Sequence, residues 1–207
     1  MWHRNEARAI EWTPDPSTLH ERVTRDWAIW WDGRARVHLE KSIVHSCWMP
    51  TLDAAFPNTR FVFVLRNGFC AAEGIMRRAA PGPVAAAQLG RSTYSPEDAG
   101  RQWLASNAPL LTGEGRPDRL HIVRYEEFVA DPVRTIRDVL DVLRVDAAPL
   151  KDLGGGRLTM AGRPFTITND NATSLARLSA ENRTRLEDVL GNGMEKLGYP
   201  RDGGAGG

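Results

Sequence analysis

The chain is 207 residues long, enough for one compact domain with a real core and too short for two. Hydrophobic residues at 42 % and charged residues at 26 % exclude a disordered tail and a membrane-embedded protein alike. With 27 basic against 26 acidic side chains there is no overall field to draw the protein onto nucleic acid or a membrane surface, so any anion site must be local.

A helix is predicted from Ser17 to Asp32, with Ser17 as its cap, Gly33 as its terminator, and Trp27, Trp30 and Trp31 on one core-facing side. Next, Val37 and Leu39 alternate with Arg36, His38 and Glu40, the period of a strand that ends near Lys41. Phe61 to Leu65 is a continuous apolar run, which predicts a parallel strand buried on both faces. It leaves through Arg66, Asn67 and Gly68 into a helix that Pro81-Gly82-Pro83 stops.

Ala80 to Thr93 is a Gly/Pro-containing loop suited to substrate contacts. Ser95-Pro96-Glu97-Asp98 then supplies a cap, a first-turn proline and first-turn acids for a helix through Trp103 towards Leu111. A third strand is predicted over Asp118 to Glu127. Behind it Asp131-Pro132 opens an amphipathic helix with Val133, Ile136, Val139, Leu140 and Leu143 on one face. Lys151 to Thr173 is Gly-rich and without periodicity. A last helix begins near Ser179 and presents Leu186, Val189, Leu190, Met194 and Leu197. The expectation is a single α/β domain over residues 1–200, helices on both faces of a parallel sheet, followed by a flexible tail over 201–207.

Ligands of open α/β sheets bind beyond the C-terminal ends of the strands. All three predicted exits place a cation there: Lys41-Ser42, Arg66-Asn67 and Arg124-Tyr125. The lysine stands out, because every cationic side chain except Lys41, Lys151 and Lys196 is an arginine. Three cations at one rim suit a polyphosphorylated nucleotide, and solubilising charge at strand ends is the plainer alternative. No Gly-Lys pair exists, which disfavours a small nucleotide kinase. Cys47 and Cys70 have no metal-ligand spacing and read as reduced thiols, so no metal is expected. The polar, Pro14-broken start shows neither a secretory signal nor an apolar span of about 18 residues, and the expected location is cytoplasmic.

LEKS near position 40, FVFVLRNG running into a helix, VRYEEFVADP, and the closing EKLGY together resemble sulfotransferases that use 3'-phosphoadenylyl sulfate (PAPS). The likeness covers Arg36 to Tyr199 and is most specific in VRYEEFVADP. It implies a three-layer, P-loop-NTPase-like fold with a central parallel sheet. It also implies transfer of a sulfuryl group from PAPS to a hydroxyl or amine of a small-molecule, carbohydrate or other acceptor. By position, Arg66 corresponds to the arginine that grips the 3'-phosphate, and Arg124 and Ser42, from the other two predicted strand exits, are further cofactor-binding candidates. Gly74 stands where the family has a partner serine, and the helix start near Phe69 is the expected substitute source of backbone donors. Tyr125 corresponds to the tyrosine near the adenine and Lys41 to the lysine near the sulfuryl group. His45 is the expected general base and Glu40 the second choice, while Glu73 is read as a solvated helix-face residue, with lining of the acceptor pocket as its alternative. The family's first strand and 5'-phosphosulfate loop have no counterpart before Arg36, so the chain reads as N-terminally truncated. The string LGRSTYS at Leu89 follows an alanine run and reads as a decoy. An inactive nucleotide-binding remnant is the alternative function, and a homo-oligomer is left open.

Overall fold

Five apolar residues in a row make a short, strongly β-prone segment, and β1 (Phe61–Leu65) forms on it, pairing in parallel with β2 (Leu120–Arg124). Phe61 lies opposite Leu120 and Leu65 opposite Arg124, so both strands end at the same rim and deliver Arg66 and Tyr125 side by side. The computed structural model describes residues 15–80, 86–87, 90–113, 118–146, 157–160 and 163–204. Before the sheet come α1 (Pro16–Ala28), a 3-10 helix (Ile43–Trp48) and α2 (Met49–Ala55). Between the two strands lie α3 (Gly68–Arg78), α4 (Pro96–Ser106) and α5 (Ala108–Thr112). After β2 follow α6 (Tyr125–Ala130), α7 (Pro132–Leu143), a hairpin of β3 (Arg157–Met160) and β4 (Arg163–Thr166), α8 (Asn171–Arg177) and α9 (Ala180–Lys196).

The core sits where α3, α4 and α9 meet one face of the sheet. Phe69, Leu186, Leu190 and Met194 are fully buried there, with Leu65 and Trp103 beside them. α3 approaches α9 so closely that a Cβ on Gly68 would stand 2.8 Å from the Met194 sulfur, which explains a glycine at the first turn of that helix. α4 starts as its sequence predicts. Ser95 and Asp98 form a reciprocal capping box behind Pro96, and Arg91 ion-pairs with Asp98. Leu89 of the LGRSTYS string lies outside the described residues, but its Arg91 and Ser95 serve this helix cap.

Several expectations are corrected. α1 ends at Ala28, so Trp30 lies beyond it and is 81 % exposed, while Trp31 stacks on His38 with ring centres 4.5 Å apart; these tryptophans are not core. The Trp27 side chain lies outside the described residues. Residues 37–42 form no strand, and Leu39 is 83 % exposed. Alternation supplies a strand's side-chain pattern, but a strand also needs a paired neighbour, and β1 pairs only with β2 among the described residues. β1 is likewise not buried on both faces. Phe63 faces the core, whereas Val62 and Val64 on the other side of the strand are 37 % and 63 % exposed.

The parallel sheet therefore has two strands among the described residues, and the remaining two form a separate antiparallel hairpin inside the segment that showed no periodicity. The architecture is α/β. The expected third strand stops at Arg124, and Tyr125 begins a helix instead. At the other end, residues 201–204 are fastened down where a flexible tail was expected. Gly203, at φ 70°, lays its backbone on the Phe69 ring, and Arg201 pairs with Glu187 and Glu195.

Candidate functional site

The site is built around the turn that follows β1. Asn67 caps α3, its Oδ1 accepting from the backbone N–H groups of Phe69 and Cys70 at 3.0 and 3.3 Å. Its Nδ2 donates to the Gly203 carbonyl at 3.2 Å, and its own N–H donates to Glu126 Oε1 at 3.1 Å. The Gly68 N–H faces the Met194 sulfur at 3.3 Å. Every donor at this helix start is therefore occupied internally and buried, and the expectation that backbone donors near Phe69 could receive a phosphate is corrected.

Arg66, one residue earlier, is held on three sides. Its Nε donates to Asn171 Oδ1 at 2.8 Å, its guanidinium lies 4.3 Å over the Tyr125 ring, and its carbonyl accepts from Trp103 Nε1 at 3.0 Å. Its Nη2 is buried and has no hydrogen-bond partner among the described residues. An unpaired guanidinium nitrogen out of water is costly, and an anion is the partner whose charge and acceptor geometry suit it. Tyr125 is fixed in turn, its hydroxyl donating to the Thr168 carbonyl at 3.0 Å and accepting from the Asp170 N–H at 3.2 Å.

Arg124 ends β2 at this rim, but its side chain is engaged elsewhere. Its Nη2 donates to the Leu197 carbonyl at 2.6 Å and its guanidinium lies 4.9 Å from the centre of the Tyr199 ring, so it caps the end of α9. Without a strand at 37–42, Lys41 and Ser42 do not leave a sheet either. Lys41 is an exposed side chain in irregular backbone, and Ser42 precedes the 3-10 helix that contains His45. Of the three cations expected at strand exits, Arg66 is the one that directly follows a strand and lies over Tyr125.

His45 is half-buried, and burial lowers its pKa from 6.5 against the opposing charge of Glu40, which itself is exposed. The imidazole is thus neutral at pH 7 and able to accept a proton. Gly74 lies on α3 with open space where a Cβ would stand, so it offers no side-chain donor to a phosphate. Glu73 is not solvated. It is 4 % exposed, bonds Arg77 at 2.6 Å and reaches Arg177 at 3.9 Å, tying α3 to α8. Burial pushes the Cys70 thiol up to about 11, with Arg66 working against it, which leaves it protonated and structural.

Two central residues had escaped the sequence reading. Glu126 accepts from Asn67, from Asn171 Nδ2 at 2.8 Å and from the Tyr199 hydroxyl at 2.9 Å, and Asn171 joins Glu126 to Arg66. The acid beside Tyr125 was a visible signal for the first. Asn171 gave none, since it follows the segment without periodicity.

The sequence profile of the sulfotransferase family matches residues 4–149. Carbohydrate sulfotransferase 2 of Mus musculus and carbohydrate sulfotransferase 2 of Homo sapiens are each 30 % identical to the chain over 105 residues, which cover 44 % of this chain and 20 % of theirs. The chain thus spans about a fifth of the length of these curated relatives. No solved structure matches it. No helix among the described residues is long and apolar enough to cross a membrane.

Proposed function

Because the chain belongs to the sulfotransferase family, we propose that it transfers a sulfuryl group from PAPS to an acceptor hydroxyl or amine, with a carbohydrate as the favoured acceptor class. The observation that supports this most directly is Arg66, pinned at the exit of β1 with its buried Nη2 unpaired among the described residues. The family match favours this catalytic reading over an inactive nucleotide-binding remnant. The carbohydrate acceptor rests on the two relatives alone.

The residues present fit the 3'-phosphoadenosine end of the donor. Arg66 would take the 3'-phosphate, and Tyr125, beneath its guanidinium, would lie beside the adenine. The grip rests on the arginine side chain, since the α3 amides are occupied by Asn67 and Gly74 adds nothing. To the 5' end we assign Lys41 and Ser42 from the segment before the 3-10 helix.

When bound, PAPS supplies an activated sulfuryl group for in-line attack by the acceptor. Lys41 places positive charge near the leaving oxygen, and neutral His45 takes the acceptor's proton, with Glu40 as the alternative base. The proposed compartment is a reducing one, in keeping with Cys47 and Cys70, neither of which is in a disulfide.

The test is Arg66→Ala. Its affinity for adenosine 3',5'-bisphosphate, measured by titration calorimetry, is expected to fall at least about tenfold, or ~1.4 kcal/mol, the scale of a lost charge-assisted contact. Unchanged affinity would retire the assignment.

A further inference from the structure

A protein that must hold an arginine still for an anionic ligand faces a conflict. The strongest way to fix a guanidinium is a carboxylate, and a carboxylate cancels the charge the ligand needs. Elsewhere this chain fixes arginines with carboxylates directly: Glu73 holds Arg77 and Glu97 holds Arg185, each at 2.6 Å. At Arg66 it does something different. The acid is present, but an amide stands between the two, with Arg66 Nε donating to Asn171 Oδ1 and Asn171 Nδ2 donating to Glu126 Oε1, both at 2.8 Å.

We propose that Asn171 and Glu126 are positioning residues that fix the Arg66 guanidinium for its anionic ligand without neutralising it. The inference rests on the reading of Arg66 as the 3'-phosphate ligand. Its chemistry lies in the asymmetry of the amide. An ionised carboxylate only accepts hydrogen bonds, so the amide nitrogen must face Glu126, and the amide oxygen is left facing Arg66. Glu126 can impose that orientation because it is itself anchored, accepting from the Asn67 N–H at 3.1 Å and the Tyr199 hydroxyl at 2.9 Å. Asn171 is anchored too, since its carbonyl accepts from the Cys70 thiol at 3.7 Å. With Nε occupied and the guanidinium plane resting on Tyr125, the Nη2 edge keeps its charge and lacks a partner among the described residues.

Calorimetry on the purified chain can separate positioning from mere structural support, using adenosine 3',5'-bisphosphate and adenosine 5'-monophosphate as paired probes. The ratio of their affinities reads the 3'-phosphate alone. Arg66→Ala should lower that ratio at least about tenfold and Asn171→Ala about fivefold, with adenosine 5'-monophosphate binding nearly unchanged. The double variant should match Arg66→Ala alone, because both changes remove one interaction. Asn171→Asp, which puts a second carboxylate against Arg66, should reduce the ratio at least as much as Asn171→Ala.

If Arg66→Ala lowers the ratio and Asn171→Ala leaves it unchanged, the positioning role is overturned and the Arg66 assignment stands. Equal loss of both probes in Asn171→Ala also overturns it, since that is what general loosening would give. An unchanged ratio in Arg66→Ala, or no binding of either probe to the unsubstituted chain, overturns the Arg66 assignment and this inference with it. Should Asn171→Ala fail to fold, Asn171→Ser, which retains a short acceptor and donor, is read by the same criteria.

Discussion

The Tyr199 hydroxyl donates to Glu126 Oε2 at 2.9 Å across 73 residues, which bolts the turn after α9 to the first turn of α6. Burial, reinforced by the Glu126 charge, pushes the phenol's pKa well above its ordinary value, so it stays a donor throughout the usable pH range. Tyr199→Phe removes that donor and leaves a half-buried carboxylate oxygen short of a partner. The expected cost is about 1–3 kcal/mol, read as a lower urea midpoint with an unchanged slope. An unmoved midpoint would show that water replaces the hydroxyl at no cost.

Gly68 tests the packing of α3 on α9. Alanine there would put a methyl 2.8 Å from the Met194 sulfur and 3.2 Å from side-chain carbons of Leu190 and Trp103. Overpacking of this kind costs about 1–3 kcal/mol. Because the nearest atom belongs to a flexible methionine, Gly68→Ala combined with Met194→Ala should be less destabilised than the sum of the two single changes. Strict additivity in chemical denaturation would locate the strain elsewhere.

Glu97 on α4 and Arg185 on α9 form a two-pronged pair at 2.6 and 2.8 Å. The Arg185 hydrogen bonds, helped by the Glu97 backbone N–H, hold the Glu97 carboxyl down at about 2 from an ordinary 4.5. A carboxyl with a depressed folded-state pKa contributes stability that is complete above its unfolded value and is lost as pH falls through the folded one. The contribution of this pair is thus whole above pH 4.5 and drains between 4.5 and 2. Arg185→Met should flatten that part of the stability curve, and an identical acid limb in the variant would assign it to other carboxylates.

What could be read from the sequence follows how local each cause is. The strand at Phe61 to Leu65 and the turn into α3 are legible, because an apolar run and a glycine-containing turn act over neighbouring residues, whereas the Asn67 cap on α3 is seen in the structure alone. Ser95 to Asp98 was legible for the same reason. The stretch from Arg36 to Lys41 misled, since alternation reports a side-chain pattern and not the pairing partner a strand requires. Arg66 follows β1 and Arg124 ends β2, and the choice of partner separates them further: Asn171 for the first, the Leu197 carbonyl for the second. Both partners lie far along the chain. Gly203 was read as tail because glycine suggests freedom, yet the missing side chain is what lets its backbone reach Phe69.

His45 is the proposed base, and its environment makes a signed forecast. Burial lowers its pKa from 6.5, and Glu40 opposes that by favouring the imidazolium. Titration of the His45 ring by NMR should therefore give a midpoint below 6.5 in the unsubstituted chain. Glu40→Gln removes the opposing charge, so the midpoint should fall further, and more so at low salt, where the field of an exposed carboxylate is less screened. Were Glu40 instead the base, Glu40→Gln would abolish turnover and His45→Ala would spare it. With His45 as the base, His45→Ala should cut kcat by about a hundredfold or more and leave the affinity for adenosine 3',5'-bisphosphate unchanged. Glu40→Gln should then shift the acid limb of the rate profile in the same direction as the NMR midpoint. Opposite shifts in the two measurements would remove His45 from the reaction.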